Sequence, residues 1–122
     1  MVALLVVIII CASCNKDEDY RDNFIGKYNC AVIFESFCLP EDYSVYSWCD
    51  TLTVTMVGDS SICISFTDED TLEETVSADG HFGYKGYHSR FGTFEGNNIH
   101  LTIEDGGLGC SYTIKYYGQK FK

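Results

Sequence analysis

Cysteines have the widest chemical range of any side chain in this sequence, since a thiol can bind metal, attack a carbonyl or form a disulfide. Seven occur in 122 residues. After residue 14 there is no Cys-x-x-Cys, and no histidine stands at zinc-ligand spacing from a cysteine, so a zinc site is not predicted. Disulfide formation remains, for which five cysteines are available after residue 14: Cys30, Cys38, Cys49, Cys63 and Cys110. An odd number leaves one thiol over.

Strand phase narrows the choice of disulfide pairs. The predicted hairpin between the second and third strands would leave Cys49 and Cys63 roughly 17 Å out of register, beyond disulfide reach. Cys38 and Cys49 bracket the longest irregular connection, so closing it would stabilise the domain by about 2–4 kcal/mol, and this pair is favoured. Cys30 and Cys110 share the inward phase on strands that would be neighbours in a closed barrel. They are either a second disulfide or two buried thiols, and Cys63 is then free.

The other reactive side chains form no recognisable catalytic or metal-binding motif. There is no Gly-x-Ser-x-Gly, no phosphate-binding loop and no dinucleotide fingerprint. The histidines His81, His88 and His100 fall in turns, loops or a polar strand phase, which favours solvated side chains. The acidic run at 68–74 lacks the glycine and spacing of a calcium loop and predicts a solvated turn followed by an acidic edge strand. We therefore predict no enzyme activity, no metal site and no cofactor.

Aromatic side chains are the better candidates for a function. Tyrosine and tryptophan suit recognition surfaces because they combine a large contact area with a polar group. Tyr43, Tyr46 and Trp48 cluster in the predicted connection between the first two long strands, and Tyr87 lies in a predicted loop. These four residues are the predicted binding surface, with core packing as the alternative explanation for Trp48.

The elements that must position these residues are β-strands. Aromatics reach 15 %, glycine occurs eleven times and proline once, and turn signals recur about every ten residues. Between the turns, apolar and polar side chains alternate, which is typical of strands with one buried face. The predicted fold is all-β, a small antiparallel up-and-down barrel or flattened sandwich of about eight strands. The predicted strands are 25–35, 48–57, 61–66, 72–77, 81–86, 90–95, 99–104 and 110–117.

The first residues indicate where the protein is targeted and do not predict an element of its fold. Residues 2–13 carry no charge and are too few to span a bilayer, which is typical of a signal peptide. Ala12 and Ser13 directly before Cys14 resemble the lipobox of bacterial lipoproteins, which implies cleavage before Cys14 and its acylation. The predicted organisation is a signal peptide at 1–13, an acylated cysteine and flexible acidic tether at 14–23, and a single β domain at 24–122.

Four short motifs lie along the folded part, in the segments 24–28, 79–82 and 92–99 and the closing segment 117–120. Together they resemble small Bacteroidetes outer-membrane lipoproteins with a lipocalin-like domain. The resemblance implies an up-and-down barrel whose first and last strands are adjacent. The charged tether after Cys14 is similar to the surface-export signal of such lipoproteins, which implies lipid anchoring in the outer membrane, either surface-exposed or on the periplasmic face.

The net charge of −10 excludes nucleic acid as a favoured partner. Anchorage, the acidic tether and the aromatic cluster favour a non-catalytic binding module for a protein, glycan or peptide. Two alternatives remain open. One is a lipocalin-like carrier of a small apolar ligand, against which the large inward residues Phe66, Phe94 and Tyr112 predict a filled interior. The other is an acidic inhibitor or immunity protein for a basic hydrolase or toxin.

Overall fold

The computed structural model describes residues 19–86 and 88–121. They form one 3₁₀ turn, Tyr20–Asn23, and eight strands. The strands are β1 Gly26–Cys38, β2 Asp42–Val57, β3 Ser61–Ser65, β4 Thr71–Thr75, β5 His81–Tyr84, β6 Ser89–Glu95, β7 Asn98–Gly107 and β8 Cys110–Lys120.

All eight strands belong to one antiparallel sheet in the order β4-β3-β2-β1-β8-β7-β6-β5. The first and last strands are adjacent, and the two outermost strands of this order approach each other through a bridge between Val76 and Phe82. The sheet is therefore a nearly closed barrel, and the predicted all-β, up-and-down architecture is confirmed. The predicted acidic edge strand is also confirmed, because β4 ends the sheet.

The apolar side chains of this alternating pattern fill the half of the barrel that lies nearer to the 3₁₀ turn. Eight inward side chains of β1, β2, β3 and β7 are at most 1 % exposed: Tyr28, Val32, Leu52, Val54, Ile62, Ile64, Ile99 and Leu101. Burying a side chain of this size contributes about 1.5–3 kcal/mol relative to leaving it in water. The barrel interior is thus a packed core at this level.

The 3₁₀ turn closes the lower end of the barrel, called the base from here on. Asp19 caps the turn by accepting a hydrogen bond from the Arg21 backbone N–H at 3.0 Å. The Arg21 side chain is buried and pairs with the Asp19 carboxylate. Its guanidinium also donates to three backbone carbonyls around the β2–β3 turn, those of Val57 (3.2 Å), Gly58 (3.0 Å) and Ser61 (2.8 Å). A single arginine thereby ties the start of the domain to the far end of β2.

This contact gives the base a specific pH dependence. The Arg21 side chain, which donates hydrogen bonds to the Asp19 carboxylate, lowers the pKa of that carboxyl from 3.8 to about 2. A carboxyl with a lowered pKa stabilises the fold above its ordinary pKa, and the contribution is lost as the pH falls toward the folded value. We expect Asp19→Asn to lower the unfolding midpoint in urea at pH 7, and the difference from the parent protein to shrink between about pH 4 and pH 2. The matched control is Asp22→Asn, at an exposed position in the same turn. A deficit in Asp19→Asn that stays constant down to pH 2.5 would contradict the proposed role of the charge.

At the other end, the strands extend beyond the packed core as a flap, defined as residues 33–50 and 105–114. Within the flap β1 pairs with β2 up to Cys38–Asp42 and with β8 up to Cys38–Cys110. None of the flap residues is buried. The prediction of an irregular connection at 36–47 was wrong, since β1 runs to Cys38 and β2 begins at Asp42. Both strands are longer than predicted because β1 pairs with β2 on one side and with β8 on the other. This pairing extends the strands beyond the region where apolar side chains are buried.

The Cys38–Cys110 disulfide joins the two hairpins of the flap. The predicted Cys38–Cys49 disulfide is wrong, because Cys49 lies opposite Ala31, seven residues along β1 from Cys38. The Cys30–Cys110 disulfide, one of the two alternatives left open for this pair, is wrong for a similar reason. Cys30 has the inward phase but lies opposite Gly118, eight residues along β8 from Cys110. The exclusion of a Cys49–Cys63 pair is confirmed, and Cys30, Cys49 and Cys63 are free thiols.

Candidate functional site

The predicted binding residues Tyr43, Tyr46 and Trp48 lie on β2, within the flap, rather than in a loop. Their exposed fractions are 60 %, 61 % and 43 %, so the alternative explanation of Trp48 as a core residue does not hold. Tyr46 and Trp48 point to the concave side, which continues the barrel interior, whereas Tyr43 points to the outer side. The fourth predicted residue, Tyr87, lies outside the described residues.

Further aromatic side chains surround Tyr46 and Trp48 on the concave side. Phe34 lies opposite Tyr46 across β1 and β2, with their ring centroids 6.3 Å apart. The Phe34 ring also stacks on Tyr112 of β8 at 5.8 Å. Trp48 lies opposite Val32, the last buried residue of β1. The concave side of the flap is therefore an aromatic surface continuous with the core below it.

Two adjoining cavities open where the flap meets the barrel, and together they are called the mouth groove. The first, about 430 Å³, is lined by Trp48, Cys49, Asp50, Phe66, Thr67, Asp68, Ile114 and Tyr116. The second, about 390 Å³, is lined by Phe66, Asp68, Asp70, Thr71, Leu72, Arg90, Ile103, Tyr112, Ile114 and Tyr116. The two cavities share Phe66, Asp68, Ile114 and Tyr116, and the ring centroids of Phe66 and Tyr116 are 5.4 Å apart. The groove thus has an aromatic floor and acidic rims.

The predicted filled interior is confirmed at the base and wrong at the mouth. Phe94 is 3 % exposed and packs in the core. Phe66 is only half-buried and Tyr112 is 37 % exposed, because both continue the inward phase of their strands beyond the level where opposing strands cover them. The sequence carries a signal for these two groove residues, since both continue the inward phase of the apolar and polar alternation. What the phase does not reveal is where the barrel opens.

The electrostatics of the mouth groove are dominated by carboxylates. Burial raises the pKa of Tyr116 to about 12, and the negative charges of Asp50 and Asp68 add to the shift. Tyr116 is therefore a neutral hydroxyl at physiological pH. Outside the groove lining, burial raises the pKa of Glu74 on β4, and the charge of the groove residue Arg90 partly offsets this rise. Arg90 makes no ion pair within 4.0 Å with any other residue in 19–86 and 88–121.

The edge of β2 that faces away from β1 has unpaired backbone groups over most of its length. β3 covers β2 only from Thr53 to Val57, so the segment before Thr53 has a partner on one side, which is β1. At Thr51 the free edge is capped by side chains. The Thr51 N–H donates to its neighbour Asp50 at 2.8 Å, and its carbonyl accepts from the Thr67 hydroxyl at 3.3 Å. The Thr67 hydroxyl also donates to Asp50.

The histidines and free thiols do not converge on a reactive centre in the described part of the chain. His100 is exposed as predicted and contacts the ring of Tyr117, while His81 and His88 lie beside Asp79 and Asp105. Cys30 is buried, and burial raises the pKa of its thiol to about 11, which disfavours the reactive thiolate. Among the described residues, no group of three or more His, Cys, Asp or Glu side chains is placed to hold a metal ion.

Comparison of the chain with models of protein families, with curated proteins and with solved structures finds no match in any of the three. None of the residues described by the structure forms a helix with the length and apolar character that crossing a bilayer requires.

Proposed function

We propose that this domain is a non-catalytic binding module of the bacterial cell envelope, and that the concave side of the flap with the mouth groove is its binding surface. One observation carries the proposal. Tyr46 and Trp48 are 61 % and 43 % exposed on a strand whose other half is anchored in the core by Leu52 and Val54. Exposed aromatics on a strand that is paired with β1 lose little conformational freedom on binding, which is the property of interface anchor residues.

The packed base favours a partner bound at the surface over a small apolar ligand enclosed in the barrel. Tyr28, Leu52 and Ile62 fill the interior at that level with no measurable exposure. A carrier would have to hold its ligand in the mouth groove, whose rims carry carboxylates. Charged rims suit a polar or cationic partner better than an apolar one.

The proposed lipid anchor is compatible with this binding surface. The described chain starts at Asp19 beside the β2–β3 turn, at the opposite end of β2 from the flap. Residues 14–18 can reach at most about 17 Å when fully extended. An acylated Cys14 would then hold the base close to the membrane and direct the flap away from it.

Site-specific photo-crosslinking in the cells that make the protein tests this proposal. We expect a benzoylphenylalanine at position 46 to give a discrete adduct on irradiation, because the Tyr46 ring lies on the proposed surface. The matched control is the same substitution at Tyr117, which is 43 % exposed on the outer barrel wall. Adducts of equal yield at both positions, or none at position 46, would contradict the proposal.

A further inference from the structure

The free edge of β2 is unusual in being long and unguarded. It runs from Asp42 to the side-chain cap at Thr51. Edge strands in proteins are normally protected by lysine, proline, a bulge or a covering segment, because an open edge is a template for another strand. The segment 42–50 contains no lysine, arginine or proline, and within residues 19–86 and 88–121 no strand covers it, because β3 pairs with β2 only from Thr53 onward.

The hydrogen-bonding groups that face this edge can be identified by their alternation. In an antiparallel ladder both backbone groups of a residue point to the same side, and successive residues point to opposite sides. The Thr51 carbonyl points to the free side, because it accepts from Thr67 beyond β3. Residues of the same parity as Thr51 therefore present their backbone N–H and C=O to the free side, namely Tyr43, Val45, Ser47 and Cys49.

Side chains flank this edge on both surfaces. A strand added along it would place alternate side chains on the concave side, next to Tyr46 and Trp48. Its other side chains would pack against Tyr43 and Val45, which are 60 % and 51 % exposed on the outer side. At the end nearest the barrel, the concave side of the added strand would meet the part of the mouth groove lined by Asp68.

Charge identifies the occupant that fits. Asp42 stands at one end of the edge, and Asp50 and Asp68 stand at the other. A second copy pairing antiparallel about the centre of the edge would place Asp42 opposite Asp50, and like charges directly opposite each other destabilise a strand pair. The net charge of −10 adds a general repulsion between copies. A basic segment avoids both costs.

We infer that the β2 edge from Tyr43 to Cys49 binds an extended, Lys- or Arg-containing segment of a partner protein, which adds to the sheet as an extra strand and places a basic side chain in the mouth groove. This inference rests on the proposed function and specifies the partner. Main-chain hydrogen bonds supply affinity in such β-augmentation, while pockets for alternate side chains supply specificity. A cationic side chain over Trp48 and Phe66 beside Asp68 also gains from cation–π attraction.

The probe is an acetylated and amidated peptide of alternating threonine and lysine, about nine residues long to match one strand. Matched peptides carry glutamine or glutamate in place of lysine. Binding to the disulfide-intact domain is followed by heteronuclear NMR and by amide hydrogen exchange. We expect the lysine peptide to bind, to protect the Val45 and Ser47 amides, and to bind about tenfold more tightly than the glutamine peptide. The glutamate peptide should not bind.

Two pairs of variants separate strand addition from general charge attraction. Ser47→Pro removes an N–H that faces the edge and should weaken peptide binding about tenfold, whereas Ser47→Thr keeps that N–H and should bind normally. The double variant Asp42→Asn/Asp68→Asn should weaken binding about fivefold. Asp59→Asn/Glu95→Gln changes the net charge equally, at exposed base positions, and should have little effect. The charge pair keeps the test decisive if Ser47→Pro fails to fold.

Four results would overturn the inference: equal binding by Ser47→Pro and Ser47→Thr, equal binding by Asp42→Asn/Asp68→Asn and Asp59→Asn/Glu95→Gln, equal binding of the lysine and glutamine peptides, or a stable dimer in which the β2 amides are protected without peptide. If any of these results occurs while the photo-crosslinked adduct at position 46 is still formed, the domain has the proposed binding function but its partner is not a basic extended segment. Loss of the adduct at position 46 contradicts the proposed function itself.

Discussion

The double variant Cys38→Ser/Cys110→Ser is expected to lose about 4 kcal/mol of unfolding free energy relative to the parent protein. The disulfide joins residues separated by 72 positions, so it closes most of the folded domain into one loop. Removing it restores conformational entropy to the unfolded chain, and this effect grows with loop length. Urea denaturation at neutral pH, without reductant, measures the difference.

Cys49→Ser is the matched control, because Cys49 is an exposed thiol with no disulfide partner. We expect it to change stability by less than about 0.5 kcal/mol. In the double variant, amides of the flap should lose protection from hydrogen exchange before those of the base, because Cys38 and Cys110 lie at the tips of the two hairpins. A loss of stability below about 1 kcal/mol would mean that the unfolded chain is already restrained without the disulfide.

Phe94→Ala is expected to destabilise the domain by about 3–5 kcal/mol. The Phe94 ring lies at the centre of the aromatic packing at the base, with ring centroids at 4.7 Å from Phe24, 5.2 Å from Phe82 and 5.9 Å from Tyr28. Truncation would leave a cavity bordered by three rings, and also loosen the segment that precedes β1, since Phe24 stacks directly on Phe94. Thermal and urea unfolding both report this loss.

The control for this prediction is Tyr84→Ala, the removal of another aromatic ring, which is 56 % exposed on β5. Its effect should stay within about 0.5 kcal/mol. A similar loss of unfolding free energy in Phe94→Ala and Tyr84→Ala would contradict the placement of the packed core at the base. A much smaller loss in Phe94→Ala would mean that Phe24 and Phe82 close over the vacated space.

The local pattern of the sequence predicted the strands where one face is buried. β3 and β7 follow the predicted alternation of apolar and polar side chains, and their apolar positions Ile62, Ile64, Ile99 and Leu101 are buried. Alternation with a period of two is dictated by each strand's own geometry, so it can be recognised without knowing the neighbouring strands. For the same reason the inward phase of Cys30 was correct.

The flap was not predictable in this way. Between residues 36 and 47 neither face is buried, so the composition shows no alternation of the kind that marked the other strands. β1 and β2 continue there because β1 has a strand on each side, with Phe37 opposite both Tyr43 and Ser111. Such pairing is non-local, and a segment's own sequence carries little trace of it.

The sequence by itself determined the β class, the inward and outward phase of the strands, and the aromatic character of β2 at Tyr43, Tyr46 and Trp48, of which Tyr46 and Trp48 lie on the proposed binding surface. Only the tertiary structure decided the register between β1 and β8, and with it the Cys38–Cys110 disulfide. It also decided where the barrel stops being covered and so opens at Phe66 and Tyr112. Phase is a property of one strand, whereas register and closure depend on how strands far apart in the chain are aligned, which period-two patterns leave undetermined.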